Sequence, residues 1–310
     1  MALASENPQN MSVLIVTVNY KTPQETIRCI ESVLKLEYSD WQMAIVENGS
    51  QDASKQDLLG WFLKNNIQIA NFISGQDWPQ SQFVWIESEQ NLGFAGGNNL
   101  AIRPALTSAN WNWVWLLNND AQATPNSLDC LLNCADKNPQ AGVLGSQLFD
   151  DQEPFTSQGL GGRLSFLHGR AQHIHYVNEL VYLDYVVGAS MLIRRDVIDQ
   201  IGLMSEDYFL YYEEADLCHK AKKAGYHVLS VPESHVFHAC GASSTKPIRE
   251  YYYVRNLLNF TKKYRKDLFL QSLFYVIWTR IGSRIFRPDL RTAAWGGLNA
   301  FFKNERGLRK

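Results

Sequence analysis

With 310 residues, of which 45% are hydrophobic and 19% charged, the chain has room for one large α/β domain, or one domain with a substantial appendage, around a real core. No low-complexity tract or internal repeat is visible, and no nucleic-acid partner is expected. The net charge of −2 hides a division: residues 1–245 hold 14 Lys or Arg and 27 Asp or Glu, residues 246–310 hold 15 and 4, so the tail is expected to meet something anionic, either the acidic body or a phosphate-rich surface.

Residues 1–11 are polar and lack the basic start and apolar run of a signal peptide, and read as a loose tail. Val13 to Val18 is a short β-branched run, as expected of a strand buried on both faces. Asn19 to Thr22 turns the chain, and Pro23 opens a helix through Leu36 with Thr22 as its N-cap. Gln42 to Val46 is a second strand, followed by Glu47-Asn48-Gly49-Ser50 and a helix from about Asp52, which is itself a candidate N-cap. Phe83 to Ile86 and Trp113 to Leu117 are further strands on either side of a helix over Ala95 to Leu106. This alternation predicts a doubly wound, mostly parallel sheet with its functional loops at the carboxyl ends of the strands.

After Val143 to Phe149 the pattern loosens. Glycines among Gln158 to Tyr185 suggest antiparallel hairpins. A strand over Val186 to Arg194, a helix from near Asp196, a helix over Ala215 to Ala224 and a strand over Tyr226 to Val231 follow. From Arg249 onward everything reads helical and basic. Its longest apolar stretch, Leu268 to Trp278, is well short of the roughly 20 residues that span a bilayer. The five cysteines form no metal-binding framework, and a reducing cytosol is the simplest home.

Three segments carry chemistry. Leu116-Leu117-Asn118-Asn119-Asp120 ends an apolar strand with two amides and a carboxylate, suited to a hard cation whose other ligands are diphosphate oxygens and water. Alone, such a cluster is more often a turn. Tyr212-Glu213-Glu214-Ala215-Asp216 puts three acids at a helix start, where the dipole favours them anyway, inside an aromatic surround that could raise a carboxyl toward a useful base. His235-Val236-Phe237-His238 follows a strand, where a lone histidine is usually structural.

Taken in order, Thr17-Val18-Asn19-Tyr20, Val46 to Asp52, Asn91-Leu92-Gly93-Phe94-Ala95-Gly96-Gly97-Asn98-Asn99 and Leu117 to Asp120 resemble family 2 glycosyltransferases. Gly188 to Arg195, Tyr212 to Leu217 and His238 to Ser243 resemble the rhamnosyltransferase-like branch, over about residues 12–265. The resemblance implies a GT-A fold, with a nucleotide-binding half (12–150), an acceptor half (151–245) and a basic helical region (246–310).

It implies that Val18, Asn19 and Tyr20 line the nucleobase, that Glu47 contacts the base with Asn48 beside it, and that Asn91, Gly93, Phe94, Gly97 and Asn98 bring backbone close to the nucleotide. Asn98 and Asn99 would open the helix there. Asn118, Asn119 and Asp120 stand on the family's Asp-x-Asp motif; Asn118 departs from the acid, leaving Asp120 as the main ligand of a Mg2+ or Mn2+ ion, with His238 as a second. Glu214 matches the general base, in a Glu-Glu pair where the family has Glu-Asp. The implied reaction is single-displacement transfer of a sugar, rhamnose among the candidates, from a nucleotide diphosphate donor to a glycan or lipid-linked acceptor. Arg255 could reach the diphosphate or lie on a helix surface. Arg280, Arg284 and Arg287 would share one helix face, able to touch the cytoplasmic face of a membrane or to dock on the acidic body. Two other readings stay open: a relative that binds nucleotide or glycan without catalysis, and a sugar nucleotidyltransferase, against which the glycine-free Val18-Asn19-Tyr20-Lys21-Thr22 turn speaks.

Overall fold

The computed structural model describes residues 13–108, 111–165, 170–175, 180–239 and 245–309. The expected tail 1–11 and the Cys240 to Ser243 stretch lie outside the described residues. β1 (Val13–Asn19) is mostly apolar and buried on both faces, as expected of a central parallel strand. It lies between β2 (Trp41–Asn48) and β5 (Trp113–Leu117), both parallel to it. β3 (Ala70–Asn71) and β4 (Phe83–Ser88) extend the parallel run beyond β2. Helices α1 (Pro23–Val33), α2 (Ser54–Lys64) and α3 (Gly93–Ser108) supply the crossovers.

Beyond β5 the sheet becomes mixed. β7 (Ala141–Asp150), reached through β6 (Ala121–Ala123) and α4 (Ser127–Lys137), is separated from β5 by β13 (Ser190–Arg194), antiparallel to both. The chain leaves the carboxyl edge at Asp150 and returns to it at Ser190 without a helix among the described residues to carry it to the far edge, so β13 runs backwards. The intervening residues form the expected hairpins: β8 (Ser157–Gly159) pairs with β7, β9 (Gly161–Ser165) pairs with β10 (Arg170–Ile174) and β12 (Tyr185–Val186), and β11 (Val181–Tyr182) pairs with β14 (His227–His238). The strand expected over Val186 to Arg194 is thus broken at Val187 to Ala189, and that expected over Tyr226 to Val231 runs on to His238. α5 (Arg195–Ile201) and α6 (Glu213–Lys223) lie between β13 and β14.

α7 (Lys246–Tyr264), α8 (Phe269–Tyr275), a π-helical run over Val276–Gly282 and α9 (Pro288–Phe302) complete the chain. Their Val254, Leu258, Val276, Leu298 and Phe301 belong to the same buried apolar cluster as Leu14, Val16 and Val114. Lys263 pairs with the buried Asp216 at 2.7 Å and Arg306 with Asp207 at 2.5 Å, so part of the basic charge docks on the acidic body. The arginines do not share an outward face: Arg280 and Arg284 turn inward to Glu250, at 3.4 and 2.7 Å, and Arg287 lies 3.7 Å from Asp289. Among the described residues no helix is long and apolar enough to cross a membrane.

Candidate active site

A cavity of about 390 Å³ opens at the carboxyl ends of β1, β2 and β5, where a doubly wound sheet leaves its strand ends and helix starts free for ligands. One wall is Val18, Tyr20, Asn48 and Asn91, with Gly93, Phe94 and Asn98 from the start of α3; the floor is Leu117 to Asp120. Phe209, Leu210, Ile248, Tyr252, Leu308 and Arg309 close the opposite side. Ten of the residues expected at a nucleotide site therefore meet here.

Three others sit behind it. Asn19 is fully buried and donates to Glu47 Oε2 at 2.5 Å, while Glu47 Oε1 accepts from the Ser50 backbone at 2.8 Å. Glu47 thus braces the loop after β2 instead of lining the cavity. Gly97 lets α3 approach β1, since a Cβ there would stand 2.8 Å from Val18 Cγ1. Two capping expectations also change. Thr22 makes no capping bond; its hydroxyl accepts from Asn119 Nδ2 at 2.7 Å, tying the floor to α1. Asp52 precedes the cap and accepts from the Ser54 backbone at 2.9 Å.

Asn48 laces the glycine-rich turn: its Nδ2 donates to Asn91 Oδ1 and the Gly93 carbonyl at 3.1 and 3.3 Å, and its Oδ1 accepts from Leu92 N at 3.0 Å. α3 starts at Gly93, so Asn98 and Asn99 lie in its second turn and do not open it. Asn98 bonds back to the Phe94 carbonyl and Asn99 reaches Met204 O and Glu206. Gly93 has φ +73°, and a Cβ would stand 2.3 Å from the Phe209 carbonyl oxygen, which itself accepts from Phe94 N at 2.8 Å. No side chain fits between these two walls.

At the floor, Asp120 Oδ1 lies 3.2 Å from His238 Nε2, both residues being buried. β6 pairs antiparallel with the end of β14, which sets Ala121 opposite His238 and brings the two side chains together. Gln158 on β8 uses its Nε2 on Asp150 Oδ1 and on the His238 carbonyl, each at 2.6 Å. Its Oε1 therefore faces His238 Nδ1 at 2.9 Å, so that Nδ1 carries a hydrogen and the neutral ring would present its Nε2 lone pair toward Asp120 and toward Asn118 Nδ2 at 3.5 Å. A carboxylate beside a histidine held in this tautomer suits a divalent cation, with the carboxamide of Asn118 adjoining. Among the described residues no group of three or more His, Cys, Asp or Glu converges, so any such ion needs ligand oxygens from the cavity side.

Glu214 does not line the cavity but adjoins it: a Cβ built on Gly188 would lie 3.2 Å from Phe94 Cζ and 3.9 Å from Glu214 Cβ. Burial pushes the Glu214 carboxyl up to about 7, and burial plus the neighbouring Glu214 raises Glu213 well above its usual value. Asp216 is no part of the site, since Tyr208, Tyr264 and Lys263 surround its Oδ1.

The loop before Glu213 holds Phe209, Tyr211 and Tyr212 at φ +67°, +68° and +77°, a region that costs a bulky residue of order 1–3 kcal/mol. The cost is met from α7. Arg255 is neither on the helix surface nor toward the cavity: it is 0% exposed and donates to the Tyr208 and Gly307 carbonyls at 2.7 and 2.8 Å. Asn256 adds bonds to the carbonyls of Tyr208, Leu210 and Tyr211. Beyond the Arg255-Asn256 pair, nothing local in the sequence marks Gln158, Tyr252 or Arg309 as neighbours of a site, because each is brought there from a separate element.

The sequence model described as glycosyl transferase family 2 matches residues 12–202. A hexosyltransferase of low-salt glycan biosynthesis, Agl10 of Haloferax volcanii, is 26% identical over 219 residues, which span 67% of this chain and 61% of that protein. An N-acetylglucosaminyl-diphospho-decaprenol L-rhamnosyltransferase of Mycobacterium tuberculosis is 25% identical over 248 residues, 72% of this chain and 75% of its own length. In three dimensions the chain is similar to the mannosyltransferase PcManGT of Pyrobaculum calidifontis, solved with GDP-Man and Mn2+, with a TM-score of 0.57 at 12% identity over 94% of this chain and 75% of that one. It is also similar to GalNAc-T7, solved with UDP, GalNAc and Mn2+, with a TM-score of 0.61 at 13% identity over 96% of this chain and 57% of that one. These likenesses establish the fold as GT-A, with β13 an antiparallel strand inside its sheet. Because the family match covers well over half of the sequence, this chain belongs to glycosyl transferase family 2.

Proposed function

We propose that the protein is a metal-dependent, inverting glycosyltransferase that moves a sugar from a nucleotide diphosphate donor to the hydroxyl of a glycan or lipid-linked acceptor. The observation that carries this reading is the meeting of Asp120 and His238 at 3.2 Å on the floor of a nucleotide-sized cavity, with Glu214 just behind its wall. Asp120 and His238 would hold Mg2+ or Mn2+, which when bound neutralises charge developing on the departing diphosphate. Val18, Tyr20, Asn48 and Asn91 surround the nucleoside. Arg309, the only cation among the described residues that line the cavity, faces the diphosphate. Glu214 takes the proton of the acceptor hydroxyl as its oxygen bonds to the anomeric carbon and the bond from that carbon to the diphosphate breaks. One base and one departing group make a single displacement, so the anomeric configuration inverts.

The printed activities of the relatives select the first substrates to test. The mycobacterial protein is named for L-rhamnose transfer to a diphospho-decaprenol carrier, and a Shigella flexneri relative, 22% identical over 206 residues, is named a dTDP-rhamnosyl transferase. A cytoplasmic site of action fits such substrates. Asn118, standing where the family carries an acid, favours a binding-only relative as the second reading. Incubation with a panel of nucleotide sugars and polyprenyl-diphosphate acceptors, with and without Mn2+, decides between them: metal-dependent product of inverted configuration supports transfer. Metal-dependent binding without product in every combination selects the binding-only relative, and turnover without metal overturns the assignment of Asp120 and His238.

A further inference from the structure

The segment from α8 to the start of α9 presents apolar side chains on two opposite sides. On its inner side Ser272, Val276 and Ile281 are buried, as expected of a docked helix. Its outer side is apolar as well. Leu270, Phe274, Ile277 and Trp278 are spaced by four, three and one, which aligns them on one helical face, and all four are exposed. The Phe274 and Trp278 rings stack, 6.3 Å apart and 9° from parallel, so they form one continuous surface. Ile285 and Phe286 extend it in the following turn, where Phe286 is 93% exposed. Two arginines of the same segment face the other way: Arg280 packs 4.3 Å from the Tyr253 ring, and Arg280 and Arg284 both reach Glu250. A helix with apolar side chains on both its inner and its outer side belongs in apolar surroundings on both.

We propose that this aromatic and aliphatic surface lies in the interfacial layer of an anionic bilayer and seats the protein on the membrane without crossing it. The α8 and π-helical run is far shorter than the roughly 20 residues needed to span. Aromatic rings with basic neighbours are what that layer accommodates. The exposed Lys266, one turn before Leu270, and the exposed Arg287 and Arg291, just after Phe286, supply the charge complementary to lipid phosphate. A second copy is a poorer occupant, because a two-fold contact through this surface would bring those basic residues against their own kind. The surface is one helix away from the catalytic cavity: Ile248 of α7 lines that cavity, and Glu250, two residues on, holds Arg280 and Arg284. The contact would present the site to a lipid-anchored acceptor; that consequence rests on the transferase reading, whereas the membrane contact itself does not.

The test is flotation of the full chain, without donor or acceptor, on vesicles of phosphatidylcholine with phosphatidylglycerol and of phosphatidylcholine alone. The wild type is expected to float with the anionic vesicles and to lose part of that binding in high salt. Phe274→Ser, Trp278→Ser and Phe286→Ser together, at exposed positions, should lower the partition roughly tenfold or more with unchanged thermal unfolding. Arg287→Gln with Arg291→Gln should remove only the salt-sensitive part. A wild type that stays in the bottom fraction, or a triple variant that floats equally well, overturns the proposal. So does a wild-type dimer that does not float and that the triple variant splits into monomers. Metal-dependent nucleoside diphosphate binding, measured in parallel, separates the two readings: its absence would sink the transferase assignment and leave the flotation result standing.

Discussion

Asn256 donates its side-chain amide to the Tyr211 carbonyl oxygen at 2.9 Å, and through the same nitrogen reaches those of Tyr208 and Leu210 at 2.9 and 2.8 Å. A buried α7 side chain thus shares its two amide hydrogens among three acceptors of the loop whose left-handed residues precede Glu214 and whose Phe209 walls the cavity. Asn256→Ala should cost about 1–3 kcal/mol, the usual penalty for buried acceptors left unpaired. Thermal unfolding checks the stability. A looser wall should also weaken nucleoside diphosphate binding, and a variant that binds and transfers as well as wild type would show that the loop holds itself.

Removal of the floor carboxylate, Asp120→Ala, should abolish metal-dependent binding of nucleoside diphosphate, since no other acid stands in the Leu116 to Asp120 segment. His238→Ala should raise the Mn2+ concentration needed. Gln158→Leu should do the same through loss of the Nδ1 contact, by about 10- to 100-fold, as partners of ligating histidines do elsewhere. Calorimetric titration of Mn2+ in the presence of nucleoside diphosphate reads all three. An unaltered titration for Gln158→Leu would leave that residue a purely structural link between β8 and β14.

As the proposed base Glu214 would act in its ionised form, and burial places its carboxyl at about 7. Transfer should therefore rise with pH through about 7 and level off above it, and Glu214→Gln should remove that rise while cutting transfer roughly 10²-fold or more. Donor binding should survive the change. If Asp216→Asn abolishes the rise instead, the base is misassigned.

The neighbouring Glu213 predicts a stability effect of opposite use. Its folded value is raised by burial and by Glu214, from an ordinary 4.5, so the folded protein keeps a proton that the unfolded chain releases. That contribution is present below about 4.5 and declines as pH rises toward the folded value. Melting temperatures should fall with pH across that window, and Glu213→Gln should flatten the slope. A slope that the substitution leaves unchanged would place the titrating group elsewhere.

Arg309 gives the fourth test of the cavity. Arg309→Ala should weaken a nucleoside diphosphate while leaving the corresponding nucleoside unaffected, because only the former carries charge for the guanidinium to meet. Equal loss for both ligands would mean that the segment merely closes the cavity, through the bonds of Arg309 N to Tyr252 and of Gly307 N to Asp207.

Local chemistry was enough for the strand–helix alternation of residues 13–117 and the turn residues at each strand's carboxyl end, whereas Asp120, Glu214 and His238 became candidates only through the resemblance carried by several segments in order. A strand buried on both faces must be apolar, and a loop that approaches a ligand closely needs glycine and short polar side chains; both leave marks within a few residues. What separates two remote segments leaves no such mark. Glu47 looked like a ligand contact, but its partners Asn19 and Ser50 come from the register of β1 against β2 and the turn after it, which close its carboxylate off from the cavity. Arg255 and Arg280 carry the charge expected of surface residues, yet α7 and the π-helical run turn them inward to carbonyls, an acid and aromatic rings, and leave Phe274 and Trp278 outside. The side of a helix that faces inward is set by the elements packed against it, and only the tertiary fold supplies those.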